Sequence, residues 1–267
     1  MSTKTDKQMA AVLTAALVIF LIGPFSITLA QDATVTSQIA SIPRTSSSEV
    51  MKRPASLTDG AGHLHQKVST DSAEAQAFYD QGLAYLHSYV WVEAARSFHE
   101  ALGHDPQLAM AHLGLAKAYT GATAYKDAFF HHKQAAELVA QGNVTEKEAK
   151  WIALGQQQLD GVFASPQERT KRLQEYRQGI DELIVLDPDD AHAWVLRGNA
   201  SERSVSGRGQ GGRVASVAYY DAALQRDPEH FGAHHYLVHS YESLGLYDKA
   251  AEHAKRYADA VLRVPHA

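Results

Sequence analysis

One short stretch of the sequence, HHYLVHSYE at residues 234–242, combines three histidines with a glutamate. Its neighbours predict a helix, on which His235, His239 and Glu242 lie at i, i+4 and i+7 and therefore share one face. Two imidazoles one turn apart can chelate a divalent metal ion, and a carboxylate one turn further on can add an oxygen ligand. Three interpretations stay open at this stage: a metal site, a groove lining without a metal, or histidines packed between helices.

The composition restricts the classes of function. The chain of 267 residues has a net charge of −5 and no cysteine. We expect no nucleic-acid binding, because general nucleic-acid-binding proteins present basic surfaces. Without cysteine there are no disulfides, thiolate metal ligands or cysteine nucleophiles. The sequence also lacks a Gly-x-Ser-x-Gly nucleophile elbow, so a binding protein is expected rather than an enzyme.

The N-terminus has the organisation of an export signal. Lys4 and Lys7 precede an apolar run over residues 10–30, which ends in a small-residue cleavage site at Ala30. Cleavage would release a periplasmic or secreted protein, whereas the uncleaved run is almost long enough to anchor the chain in a membrane. Residues 31–70 are rich in Ser, Thr, Ala and Gly and predict a flexible linker between this signal and the rest of the chain.

From Ala75 onwards the sequence follows a 34-residue spacing. With Ala75 as position 1, aromatic residues occupy positions 4, 11 and 24, small residues occupy positions 8, 20 and 27, and a proline occupies position 32; they are Phe78, Tyr85, Phe98, Gly82, Ala94, Ala101 and Pro106. Small residues allow two helices to approach closely, aromatic residues fill the space between them, and the proline ends the second helix. We therefore predict a repeated pair of antiparallel helices.

Further pairs follow, although they match the spacing less completely. The second begins at Ala109, the fourth at Ala191 and the fifth at Phe231. In the third, Thr145 and Ser165 each precede a glutamate by three residues, which is the signature of a capping box at a helix start. A glycine-rich insertion at residues 206–213 interrupts the fourth pair. No helix follows the fifth pair, so we expect its last helix to pack against a partner or further repeats.

This spacing resembles that of the tetratricopeptide repeat (TPR), and the chain is similar to a group of exported bacterial TPR proteins of unknown function. The resemblance implies an all-α fold, a right-handed α-solenoid of about five TPR-type helix pairs over residues 71–267. It also implies that the first helix of each pair lines a concave groove. The groove residues it assigns are Tyr79, His87, Lys117, His192, Asn199, Glu202, Arg203, His235, His239 and Glu242.

Two functions are compatible with this arrangement. The first is an exported scaffold that binds a protein or peptide partner in the groove. The alternative is a binding protein or an enzyme that takes up a divalent metal or a small ligand in the histidine-lined C-terminal part of the groove, with His235, His239 and Glu242 as the metal ligands. Contact with a membrane is expected only through the N-terminal segment if it is not cleaved.

Overall fold

The computed structural model describes residues 47–201 and 214–264, and every regular element in these ranges is a helix. The predicted signal or anchor segment over residues 1–30 and the glycine-rich insertion at 206–213 lie outside the described residues. The helices, numbered in chain order, are α1 (Ser47–Val50), α2 (Ala73–His87), α3 (Trp91–His104), α4 (Ala109–Gly121), α5 (Tyr125–Ala140), α6 (Glu146–Val162), α7 (Pro166–Leu186), α8 (Ala191–Asn199), α9 (Val214–Arg226), α10 (Phe231–Ser243) and α11 (Tyr247–Ala260).

Helices α2 to α11 pack as five consecutive pairs, and each pair packs against the next along the chain. This confirms the predicted α-solenoid. Within the described residues, no helix combines the length and the apolar character needed to cross a membrane.

The turn inside a helix pair has the same conformation in three of the pairs. Tyr89, Thr123 and Gly245 all have positive φ, of 58°, 59° and 72°. The backbone N–H of the following residue donates back to a carbonyl five residues earlier, with N···O distances of 3.0, 2.8 and 2.9 Å. Such a left-handed residue satisfies the free carbonyls at the end of the first helix. Because Tyr89 and Thr123 are separated by one repeat length, the recurrence supports the 34-residue frame.

The predicted close approach of the two helices is visible at two glycines. A Cβ atom added to Gly82 would lie 2.7 Å from the ring of Phe98, and one added to Gly198 would lie 2.3 Å from the ring of Tyr220. Both rings are fully buried. The aromatic ring of the second helix therefore occupies the space that the missing side chain of the first helix leaves free.

The helices of the third pair begin as predicted. Thr145 and Ser165 each accept a hydrogen bond from the backbone N–H three residues later, and the glutamate at that position accepts one in return from the capping residue. Both capping boxes are therefore confirmed, and Pro166 occupies the first position of α7, where its missing N–H costs nothing.

Residues 51–70 do not form the flexible linker that their composition predicts. Leu64 and Val68 are buried, and the residues between them alternate between buried and exposed in an extended segment. At its end, the N–H and Oγ of Ser69 donate to the two carboxylate oxygens of Glu148, at 2.7 and 2.5 Å. The composition does not reveal this packing, in which Ser69 binds a carboxylate of α6 and Oγ1 of Thr70 donates at 2.6 Å to Asp105, just after the end of α3. We call residues 51–70 the N-terminal strap.

The strap and α10 bring the two ends of the helix array together. The backbone N–H of Arg263 donates to the carbonyl of Gly60 at 3.0 Å, and Val261 beside it is fully buried. Nδ1 of His235 on α10 donates to the carbonyl of His87 at the end of α2, at 2.6 Å. The fifth pair thus lies beside the first, and the described residues after the last helix pack on the strap.

Candidate ligand-binding pocket

The inner surface of the helix array forms a partly open cavity of about 200 Å³. Its wall is formed mainly by the first helices of the pairs, α2, α4, α6 and α8, with Tyr236 of α10 and Gln66 of the strap closing it. Most of the wall is apolar. Its large apolar side chains include those of Tyr79, Leu83, Met110, Leu113, Trp151 and Leu159. The cavity could therefore hold an apolar group against this wall.

The structure places only part of the predicted groove in this wall. Among the groove residues assigned from the sequence, those that line the cavity are Tyr79, His87, Lys117, His192 and Asn199. His235, His239 and Glu242 do not line it, and Glu202 and Arg203 lie outside the described residues. The inner face of the first four pairs is thus brought together, while the histidines of α10 lie elsewhere.

Sequence analysis missed the part of the wall that α6 provides. Trp151, Gly155, Leu159 and Val162 line the cavity and lie at i, i+4, i+8 and i+11 on one face of this helix. The third repeat departs from the consensus, so the 34-residue frame assigned no groove positions there. The regular spacing of these residues along one helix face was the signal that could have found them.

Lys117 is the one formally charged residue among the described residues that line the cavity. Its Nζ lies 5.0 Å from the centroid of the Trp151 ring, within the range of a cation–π interaction. It has no hydrogen bond or ion pair with any described residue. Burial lowers the pKa of Lys117 to about 8, because removing water disfavours the ammonium form. At neutral pH the cavity wall therefore holds a positive charge without a partner.

At one end of the cavity three histidines, His87, His192 and His230, place ring nitrogens within 4.8 Å of one another. Their hydrogen bonds fix the tautomers of two of them. The N–H of Ala233 donates to Nδ1 of His230 at 3.2 Å, so Nε2 of His230 carries the proton and donates to Nδ1 of His192 at 3.1 Å. Nε2 of His192 then donates to the carbonyl of His65, at 3.3 Å.

This set of donors and acceptors does not fit a metal ion. A metal ligand needs a free lone pair, but Nδ1 of His230 already uses its lone pair to cap α10, so Nε2 must keep its proton. Burial lowers the pKa of His230, and likewise that of His87, well below 6.5, and also lowers the pKa of His192, so all three rings are neutral. We interpret the cluster as a hydrogen-bond network that joins the strap, α8 and α10.

The three residues predicted to bind a metal form a chain instead of a common centre. His235 donates through Nδ1 to the carbonyl of His87, so its Nε2 accepts from Nε2 of His239, at 3.1 Å. The other nitrogen of His239 lies 3.2 Å from a carboxylate oxygen of Glu242. One ring nitrogen of His239 therefore contacts His235 and the other contacts Glu242, so the three side chains do not converge on one point. Because of this geometry we do not propose a metal site at His235, His239 and Glu242.

These features define the chain as an α-solenoid of TPR type with an inner pocket. No protein-family model matches the chain, and no curated protein does. Similar solved structures include crystal structures of MamA and of YrrB, a TPR protein with an unusual peptide-binding site. MamA is 19% identical with a TM-score of 0.34, over 67% of this chain and 93% of MamA. YrrB is 15% identical with a TM-score of 0.33, over 71% of this chain and 87% of YrrB. At these TM-scores neither structure supports an argument about this chain.

Proposed function

We propose that this chain is an exported, non-catalytic binding module, and that its inner cavity takes up an apolar group of a protein or peptide partner. The cavity itself carries the proposal, since it has a volume of about 200 Å³ and a wall of aromatic and aliphatic side chains. An apolar cavity of about 150 Å³ accommodates a benzene ring. The volume therefore suits one aromatic or branched aliphatic side chain rather than a long stretch of peptide.

The hydrogen bonding of His192 and Thr120 favours binding over catalysis at these two residues. A general base needs a ring nitrogen that can reach a substrate proton. Both ring nitrogens of His192 are engaged, with His230 and with the carbonyl of His65. Nδ1 of His87 lies 3.0 Å from the hydroxyl of Tyr236, and the hydroxyl of Thr120 donates to a carbonyl of its own helix.

The proposal of export depends on the sequence of residues 1–30 and has its own test. We expect the mature protein to be recovered from the periplasm or the medium and to begin after Ala30. N-terminal sequencing of the protein from each cell fraction measures this. Recovery of a chain that begins at Met1 from the cytosol would refute export, while recovery of that chain from the membrane fraction would indicate an anchor.

A peptide library with matched variants tests the binding function. Thr120 of α4 lines the cavity and is half-buried, so Thr120→Trp places a bulky ring in the cavity. Ala136 of α5 is exposed, so Ala136→Trp adds the same bulk outside it. We expect peptides selected on the wild-type chain to bind Thr120→Trp at least about tenfold more weakly and Ala136→Trp equally well. Failure to select any peptide, or equal binding to Thr120→Trp, would refute the function. Thermal unfolding confirms that both variants are folded.

A further inference from the structure

The wall of the cavity carries a positive charge that none of the described residues neutralises. No Asp or Glu is present among the described residues that line it, and Lys117 has no ion pair with a described residue. The side chain of Lys117 is half-buried, and removing part of the water from an ammonium group without a counter-ion is unfavourable. The nearest interaction of its Nζ, with the Trp151 ring at a centroid distance of 5.0 Å, offsets only part of that cost.

Two of the three amide side chains that line the wall, those of Gln66 and Asn199, present donors rather than acceptors, while Gln158 can offer either. Oε1 of Gln66 accepts from the hydroxyl of Tyr79, and Oδ1 of Asn199 accepts from the hydroxyl of Tyr220 at 2.6 Å. The NH₂ group of each amide has no acceptor among the described residues. An amide whose oxygen is occupied can offer a ligand only its N–H groups. Together with the ammonium of Lys117, these two amides complement a group that accepts hydrogen bonds.

The number of positive charges among the described residues of the wall limits the negative charge that a ligand can carry. The two histidines of the wall, His87 and His192, stay neutral because burial lowers their pKa values. A single ammonium group balances one negative charge, and each further negative charge would have to lose its water in an apolar cavity. A phosphate dianion is therefore a poor match, and a carboxylate is a good one.

We propose that the cavity binds an apolar monocarboxylate, with the carboxylate paired to Lys117 and an aromatic or branched aliphatic group against Trp151. This inference rests on the proposed function, since both place the ligand in the same cavity. The same chemistry has two sources: a free organic acid of low molecular mass, or the C-terminal residue of a peptide. The volume of about 200 Å³ accommodates either one.

Two pairs of probes differ only in this charge. The first pair is phenylacetate and phenylacetamide, and the second is a short peptide that ends in phenylalanine, with a free or an amidated C-terminus. In calorimetric titrations of the full chain at pH 7, we expect an acid to bind at least about tenfold more tightly than its amide. Preference for phenylacetate identifies a free acid as the source, and preference for the peptide acid identifies a C-terminus. If neither acid binds more tightly than its amide, the inference is overturned.

Two lysine variants test whether Lys117 causes the tighter binding of an acid than of its amide. Lys117→Met removes the charge with little change of volume, and Lys126→Met removes the charge of an exposed lysine on α5 as the control. We expect Lys117→Met to bind the acid and the amide equally, and Lys126→Met to keep the wild-type preference. A preference that persists in Lys117→Met would contradict the inference.

A pH series on the wild-type chain gives the same test without a variant. Binding of the acid should weaken as the pH rises from 7 to 10 and the ammonium of Lys117 loses its proton, while binding of the amide should not change. Acid binding that is independent of pH overturns the inference. Selected peptides could bind Thr120→Trp more weakly than the wild-type chain and yet bind equally well with a free or an amidated C-terminus. That result would overturn this inference and leave the proposed function intact.

Discussion

Among single residues, Lys117 is the one whose chemistry conflicts most with its surroundings. Its ammonium lies in an apolar wall beside Trp151, without an acidic partner among the described residues. Residues at binding sites commonly reduce the stability of the folded state in this way. Two separate measurements test this: the charge of Lys117 should lower the stability of the folded protein and should strengthen the binding of an anionic ligand.

The folded state disfavours the ammonium of Lys117, so we expect Lys117→Met to increase the free energy of unfolding at pH 7. The expected increase is about 1–3 kcal/mol, since one pKa unit corresponds to about 1.4 kcal/mol. The pKa of Lys117 is lowered by burial to about 8 from 10.5, so the unfolded state binds the proton more tightly. Wild-type stability should for the same reason rise as the pH increases from 8 to 10.5. Urea unfolding of Lys117→Met beside Lys126→Met measures the difference. A less stable Lys117→Met would contradict the account.

The histidines of α10 show what residue spacing does and does not determine. The spacing of His235, His239 and Glu242 placed them on one helix face, where the structure also has them. The ring of His235 is oriented by a carbonyl of another repeat, that of His87, which accepts from its Nδ1. Spacing within one helix carries no information about such a contact, which is why the metal interpretation could not be decided from the sequence.

At the scale of the helices, the 34-residue spacing predicted the pairs well because it encodes local packing. The small residues, the aromatic residues and the capping boxes act within one pair, and their roles can be inferred from sequence distance alone. The strap was not predicted, because its composition resembles that of a linker. The alternation of Leu64, Gln66 and Val68 with exposed residues was the signal of an extended, half-buried segment.

Gly82→Ala tests the packing inside a helix pair. Alanine normally stabilises a helix by up to about 1 kcal/mol, but overpacking a core costs about 1–3 kcal/mol. The new methyl group would lie 2.7 Å from the ring of Phe98, so we expect the variant to be less stable. Gly103→Ala is the matched control, since nothing lies within 4 Å of its added Cβ, and it should be slightly more stable. Denaturant midpoints of both variants show whether the signs differ as expected.

Limited proteolysis tests the strap. Lys67 is exposed, but the residues on both sides are buried, so trypsin should cut after Lys67 slowly in the wild-type chain. Glu148→Gln weakens the hydrogen bonds that the carboxylate accepts from Ser69, at 2.7 and 2.5 Å, and should speed the cut. Mass spectrometry of the fragments over time follows the reaction. Rapid cutting after Lys67 in the wild-type chain would mean that the segment is a free linker.

For the molecule as a whole, the notable feature is the contact between the first and the fifth pair. It consists of the hydrogen bond between His235 of α10 and the carbonyl of His87, and of the hydrogen bond between Arg263, after α11, and Gly60 of the strap. These partners are far apart in the sequence, so no repeat spacing could predict them. The inner cavity also depends on this contact, because Tyr236 and Gln66 close it. The sequence therefore predicted the inner faces of the helices but not the enclosure that they form.

Buried histidines throughout the array should make the protein sensitive to acid. Burial lowers the pKa of His99 and His112 to about 4 and that of His131 to about 3, from 6.5 in each case. Between these values and 6.5 the unfolded state binds more protons, so stability should fall as the pH drops from 7 to 5, by about 1 kcal/mol or more for the three histidines together. Their contributions are coupled, because the three rings contact one another.

Urea midpoints at pH 7, 6 and 5 measure this loss, and at these values the histidines contribute more than carboxylates do. His131→Gln should reduce the dependence on pH, whereas His63→Gln, which changes an exposed residue, should leave it unchanged. A midpoint that stays constant from pH 7 to 5 would show that these histidines are not buried in their neutral form.

The most direct test of the central claim, that the inner cavity is the binding site, is a crystal structure of the chain with its tightest selected ligand. The account predicts ligand density inside the cavity, against Trp151 and with an acceptor atom beside Nζ of Lys117. Ligand density on the outer surface of the helices, with the cavity unchanged, would contradict it.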